Sequence, residues 1–228
     1  MGLHVIIFGA TGMVGEGVLH CSIIDPAIDS ILIIGRRPSN VVHPKVHELL
    51  HDNFFDYSSI ESELAGYDAC FFCLGVTSIG KSEEEYRRLT YDLTMVAAAT
   101  LSRVNREMVF CYVSGAGTDS SERGRSMWAR IKGKTENDLL QLPFKSAYAF
   151  RPGYIRPIAG LKRAQWFAKA LSPLYPILKL FFRKYVCTLE DLGRAMIRIS
   201  RTGHQKRILE CEDITLLSGT SGNGDPSP

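Results

Sequence analysis

The chain has 228 residues, 45% of them hydrophobic and 22% charged, a balance that excludes wholesale disorder and supplies enough apolar mass for a substantial core. Its formal charge of +3 is too small to argue for a nucleic-acid partner. A strand pattern begins within a few residues of the amino terminus, with no basic and apolar leader, so the expected location is cytoplasmic.

His4 to Phe8 is a strand-forming run that stops at Gly9-Ala10-Thr11-Gly12-Met13-Val14-Gly15, and Glu16 to Ile24 is compatible with a helix. Further strands are expected at Ser30–Ile34, Val46–His51, Ala69–Leu74, Met108–Val113 and Ser146–Phe150. Helices are expected at Tyr57–Leu64, at Ser82–Arg103 with an inward stripe of Leu89, Leu93, Val96, Ala97 and Leu101, and at Ser126–Leu142. Strands alternating with helices predict an α/β fold, a doubly wound parallel sheet, in one domain over residues 1–217.

The six cysteines, Cys21, Cys70, Cys73, Cys111, Cys187 and Cys211, are scattered and mostly lie in apolar runs, where a reduced, buried thiol is the ordinary state. Cys70 and Cys73 have CxxC spacing, but on a strand they point to opposite faces, and no metal site is expected.

Residues 154–186 change character. Leu161 to Val186 is apolar and basic, with Lys162, Arg163, Lys169, Lys179, Arg183 and Lys184 and no acidic residue. Pro173 and Pro176 divide it, so a spanning helix is not expected. Two readings stay open: short helices forming a substrate-side lid, or a surface that meets a membrane or a protein partner. Thr188 to Asp191 is a capping-box-like helix start, Ile208 to Leu217 is expected to add a strand pair, and residues 218–228 form a Gly/Ser/Pro-rich tail expected to be disordered.

The chemistry begins at the glycine loop. Gly9, Thr11, Gly12, Met13, Val14 and Gly15 lie between a strand and a helix start, where backbone N–H groups face an anion and absent side chains let a pyrophosphate approach. This context predicts a dinucleotide site. At the end of the second strand, where a carboxylate would bind the ribose 2′-hydroxyl of NAD, stand Arg36 and Arg37, which match a 2′-phosphate and point to NADP(H). Asp52 or Asn53 is placed to hydrogen-bond adenine, and Leu74-Gly75 to run past the adenosine ribose and pyrophosphate.

These residues, with Phe72-Cys73-Leu74-Gly75, Val113-Ser114, Lys132-Gly133 and Phe150-Arg151-Pro152-Gly153, resemble the atypical short-chain dehydrogenase/reductases. The likeness is strongest to the Tat-interactive protein branch and its bacterial relatives, with NmrA-like proteins more distant, and it covers residues 4–217. It implies a Rossmann fold that binds NADP(H), with Pro152 among the cofactor contacts. It also implies that Ser114 orients a substrate oxygen and that Lys132 holds the nicotinamide ribose. The family tyrosine belongs four residues before the lysine, and this chain has Trp128 there. An indole N–H donates a hydrogen bond but exchanges no proton near neutral pH. Tyr154, just past the sixth strand, and Lys132 itself are the local substitutes. Two functions follow: an NADP(H)-dependent oxidoreductase or redox isomerase of a small carbonyl or alcohol, or a catalytically silent NADPH-responsive regulatory protein.

Overall fold

The computed structural model describes residues 2–158, 160–161 and 185–219. Expectations about the basic segment 162–184 and about residues 220–228 lie outside the described residues.

Seven parallel strands form the central sheet: β1 (Leu3–Phe8), β2 (Ile28–Gly35), β3 (Val46–Leu50), β4 (Ala69–Phe72), β5 (Val109–Val113), β6 (Ser146–Arg151) and β9 (Ile208–Glu210). Their order is β3-β2-β1-β4-β5-β6-β9. The sequence order reverses between β1 and β4, and such a reversal opens a crevice at the carboxyl ends of the two strands. Two short strands, β7 (Tyr154–Arg156) and β8 (Val186–Thr188), pair in a separate parallel sheet.

Both faces of the sheet are covered, which is why its strands read as continuous apolar runs. Val5, Ile7, Ile31, Phe71 and Cys111 face one side, together with residues of helix α1 (Met13–Ile24) and helix α5 (Leu189–Thr202). Ile6, Phe8, Cys70, Phe72 and Phe110 face the other. There they meet the 3-10 turn Ser58–Leu64, helix α3 (Leu93–Val104) and helix α4 (Met127–Leu139). Phe8 contacts three rings, Phe72 at 5.2 Å, Tyr57 at 6.0 Å and Phe54 at 6.1 Å. Each fully buried ring of this kind contributes roughly 1.5–3 kcal/mol.

Three expectations need correction. The single helix over Ser82–Arg103 is divided into helix α2 (Glu83–Arg87), a π turn over Arg88–Asp92, and α3. The second half of the expected strand pair at Ile208–Leu217 is helix α6 (Cys211–Ser218). The acidic first turn there, Glu212 and Asp213, and a reciprocal cap between Glu210 and Asp213 favour a helix over an edge strand. Ser218, assigned to the tail, closes α6 and donates to Asp191 Oδ1 at 2.7 Å. The capping box at α5 is formed as expected: Asp191 N–H donates to Thr188 Oγ1 at 3.0 Å, and Thr188 N–H to Asp191 Oδ2 at 2.9 Å.

Candidate functional site

The β1–α1 loop closes on itself through Gly12 N–H donating to the Gly9 carbonyl at 2.9 Å. Gly9 sits at φ +80°, and a Cβ there would lie 2.8 Å from the Cys73 carbonyl at the end of β4. Only glycine satisfies both conditions. A Cβ on Gly15 would stand 2.1 Å from the Gly9 carbonyl oxygen, so this glycine lets the helix start against the loop. Gly12 differs: its Cβ would meet nothing nearer than the Gly9 oxygen at 3.4 Å, leaving the loop's outer side open. Among the described residues no side chain caps α1, which leaves the first-turn N–H groups, those of Met13, Val14 and Gly15, without a side-chain partner.

A cleft of about 570 Å³ runs from this loop across the ends of β1, β2 and β4, with Gly9, Thr11, Arg36, Arg37, Phe54 and Leu74 among its walls. A nucleotide fits this donor set: an uncapped helix start, two exposed guanidinium groups and an apolar wall. Asp52 and Asn53 are exposed and outside the lining, and Asn53 Oδ1 instead accepts from Phe55 N–H at 3.1 Å. Phe54, next to them in sequence, lines the cleft instead. Asn40 also joins the wall, in a left-handed conformation at φ +60° that no pattern of strands announces. Gly75, beyond Leu74, has no atom within 4 Å of a Cβ position.

The second part of the site lies at the ends of β5 and β6. Ser114 N–H and Ser114 Oγ both donate to the Phe150 carbonyl, at 2.8 and 3.1 Å, and Ala116 N–H donates to the Pro152 carbonyl at 2.8 Å. Lys132, on α4, donates to the Ser114 carbonyl. Burial lowers the Lys132 ammonium from 10.5 to about 8, against the opposing charge of Glu136. The glycine after it is required sterically, since a Cβ on Gly133 would stand 1.8 Å from the Asp119 carbonyl oxygen. Ser114, Lys132 and Pro152 are therefore brought together at this end of the sheet. Trp128 lies one turn earlier on the same helix, its ring 3.4 Å from the Cβ position of Gly117. Tyr154 opens β7, opposite Val186.

The chain's topology and cleft can be set beside known proteins at this point. No family model matches the sequence. The ADP-L-glycero-D-manno-heptose-6-epimerase of Helicobacter pylori superposes with a TM-score of 0.65 at 14% identity, covering 97% of this chain and 83% of the other. WbmF of Bordetella bronchiseptica, solved in complex with NAD+, superposes with a TM-score of 0.62 at 14% identity, covering 100% and 82%. The fold is the Rossmann fold of dehydrogenases and epimerases.

By sequence, the chain is 29% identical over 190 residues to a protein of Emericella nidulans named fmp52, mitochondrial, a match covering 77% of this chain and 79% of that one. FMP52 proteins of several yeasts, also named mitochondrial, match as well. These names overturn the cytoplasmic expectation, which rested on the missing leader pattern alone.

An ion-pair network anchored on the buried Glu136, which local sequence reading missed, supports this end of the sheet. Arg151, the last residue of β6, donates through Nε to Glu136 Oε1 at 3.0 Å and through Nη2 to Oε2 at 2.5 Å. It also reaches Glu210 Oε1 at 3.2 Å and Ser120 Oγ at 2.5 Å. Glu136 is wholly buried, one turn beyond Lys132 on α4. Among the described residues, no group of His, Cys, Asp and Glu could hold a metal, and no helix is long and apolar enough to cross a membrane.

Proposed function

We propose that this protein binds NADP(H) and acts as an oxidoreductase or redox isomerase on a small carbonyl or alcohol. One observation carries the reading: the Ser114–Lys132 bond stands at the carboxyl end of β5, the sheet neighbour of β4, whose reversal against β1 opens the glycine-loop cleft. The loop N–H groups would hold the pyrophosphate and Arg36 and Arg37 the 2′-phosphate, while Lys132 would meet the nicotinamide ribose. The cofactor, when bound, supplies hydride transfer. Ser114 Oγ spends its proton on Phe150, so it accepts readily from a substrate hydroxyl; donation to a carbonyl requires that rotor to turn. Lys132 Nζ, at about 8, can hold or release a proton near neutral pH, a task the indole of Trp128 cannot perform. The names of the relatives favour a mitochondrial setting.

A second reading, an NADPH-responsive regulatory protein without turnover, is favoured by Trp128. The test is titration with NADPH and NADH, then a carbonyl-reductase screen of wild type, Lys132→Met, Tyr154→Phe and Trp128→Tyr. Wild-type turnover lost in Lys132→Met or Tyr154→Phe supports the enzyme and assigns its proton donor. Turnover gained only in Trp128→Tyr supports the silent protein. Absence of binding to either nucleotide defeats both.

A further inference from the structure

We infer that Trp128 is a substrate-binding residue: its indole N–H donates to the carbonyl oxygen of a small aldehyde or ketone lying over the Gly115–Gly117 backbone. Helix α4 carries Trp128 one turn before Lys132, so the two side chains share one face of the helix. Both meet the same loop. A Cβ on Gly115 would lie 3.8 Å from Lys132 Nζ and 3.9 Å from the Pro152 carbonyl oxygen, and a Cβ on Gly117 would lie 3.4 Å from Trp128 Cη2 and 3.8 Å from its Cζ2. Gly115 and Gly117 are at most about 7 Å apart along the chain. The ammonium and the indole therefore flank one short stretch of backbone whose only side chain is the Ala116 methyl group.

The loop is pinned on both sides. Ala116 N–H donates to the Pro152 carbonyl at 2.8 Å, Thr118 Oγ1 to the Gly115 carbonyl at 2.7 Å, and Asp119 N–H to the Ala129 carbonyl of α4 at 3.0 Å. Gly115 and Gly117 have φ of +144° and +85°, conformations that keep side chains off this surface. Gly117 is exposed and Trp128 half-buried, so the stretch between them is open to a ligand. Among the described residues the indole N–H of Trp128 has no hydrogen-bond acceptor, and it is not sealed from solvent. A buried indole N–H ordinarily finds a partner. Cζ2 belongs to the side of the ring that adjoins Nε1, so the edge turned toward Gly117 is the one from which the N–H projects. Ser114 Oγ already gives its proton to the Phe150 carbonyl, and a carbonyl arriving here meets the indole as the ready donor.

This role rests on the oxidoreductase reading above and narrows its substrate class to carbonyl compounds. A carbonyl oxygen only accepts, which matches a group that only donates. Hydride addition to the carbonyl carbon, the chemistry that a bound cofactor supplies, moves the π pair onto the oxygen. The indole N–H then holds a developing alkoxide, where a fixed donor stabilises most, and keeps its own proton throughout. The proton that completes the alcohol leaves the Lys132 ammonium, directly or through water, and the lysine recovers it from solvent. The substrate carbon gains the hydride pair, the nicotinamide loses it, and one proton is taken up overall.

The test reads the indole N–H itself. The chain has two tryptophans, so full-length protein labelled with 15N-tryptophan gives two indole N–H peaks, and Trp128→Phe, or Trp166→Phe should the first variant not fold, identifies the one from Trp128. NADP+ is added first, so that no reduction occurs, and then hexanal, cyclohexanone or benzaldehyde. The Trp128 peak should move to lower field and saturate with at least one of these carbonyls. With NADPH, Trp128→Phe keeps a ring but has no N–H, and should lose roughly 10- to 100-fold in kcat/KM at unchanged NADPH affinity, whereas Trp128→Tyr restores a donor and should keep its turnover. A peak that stays still with every one of these carbonyls, or equal losses in the Phe and Tyr variants, overturns the inference. A peak that moves in a protein that reduces none of them keeps the binding role and defeats the oxidoreductase reading instead.

Discussion

Lys132 donates its ammonium to the backbone carbonyl of Ser114, and that bond ties helix α4 to the end of strand β5. The contact places a cation where little water reaches it, and the cost is readable as a pH dependence.

The fold disfavours the charged lysine, whose value falls from 10.5 to about 8, so the folded chain binds fewer protons than the unfolded one between those limits. The penalty is present in full below pH 8 and is relieved as pH rises toward 10.5. Relative to Lys132→Met, wild type should gain on the order of 3 kcal/mol between pH 7 and the upper limit. Urea denaturation of both proteins across that range measures it. The buried thiols lose stability with rising pH in both proteins and cancel in the difference. A difference that stays flat removes the charged, buried lysine from the account.

The glycines of the β1–α1 loop should separate folding from binding. Gly15→Ala drives a methyl group into the Gly9 carbonyl and should cost more than about 3 kcal/mol or prevent folding, as overpacking against backbone does. Gly12→Ala has room on the protein side and should fold with stability within about 1 kcal/mol of wild type, while its methyl group narrows the approach to the helix start. Thermal melting and NADPH titration should therefore show a folded protein that has lost most of its nucleotide affinity. Full affinity in Gly12→Ala would count against the loop as the pyrophosphate cradle.

Arg36→Glu places a carboxylate on the cleft wall. Loss of a charge-assisted bond to a phosphate corresponds to about 1.5–3 kcal/mol, roughly 10- to 100-fold in affinity. NADPH should suffer that loss, and NADH, which lacks the 2′-phosphate, should change little. Equal losses for the two nucleotides, measured by fluorescence titration, would show that the guanidinium does not read the phosphate.

Much of this site could be read from the chain because its signals are local. The apolar run into Gly9, the two later glycines and the arginines ending the second strand each lie within a few residues of one another, where sterics and charge act directly. The features missed depend on distant elements. Glu136 and Arg151 are brought together by α4 and β6, and neither residue's neighbours announce the pair. Phe54, rather than Asp52 or Asn53, reaches the cleft because the polar pair sits in an exposed turn, with Asn53 holding the backbone of Phe55. A strand pair is expected over Ile208–Leu217, but capping at Glu210 and Asp213 makes its second half a helix.

The Glu136–Arg151 pair should behave as a buried ion pair does. Arg151→Met leaves a wholly buried carboxylate without its partner and should cost about 3–5 kcal/mol. The double variant Arg151→Met/Glu136→Leu should recover a large part of that loss, because no uncompensated charge remains. Equilibrium denaturation of the two single variants and the double one provides the cycle. Additive losses would mean that the pair contributes through packing alone.

Strand order also carries a consequence for how the chain folds as it is made. β1, the first strand synthesised, lies inside the sheet between β2 and β4, whereas β9 pairs with β6 at the far edge. Synthesis therefore lengthens the sheet outward from its own beginning, and the open side of β6 waits through residues 152–207 for a partner. During that interval an unpaired edge is available to other chains, the usual starting point for aggregation. The three residues of β9 shut it, and with Glu210 they also bring the last carboxylate to Arg151. Capping the growing sheet and completing the ion-pair network are thus one late event in the life of the chain.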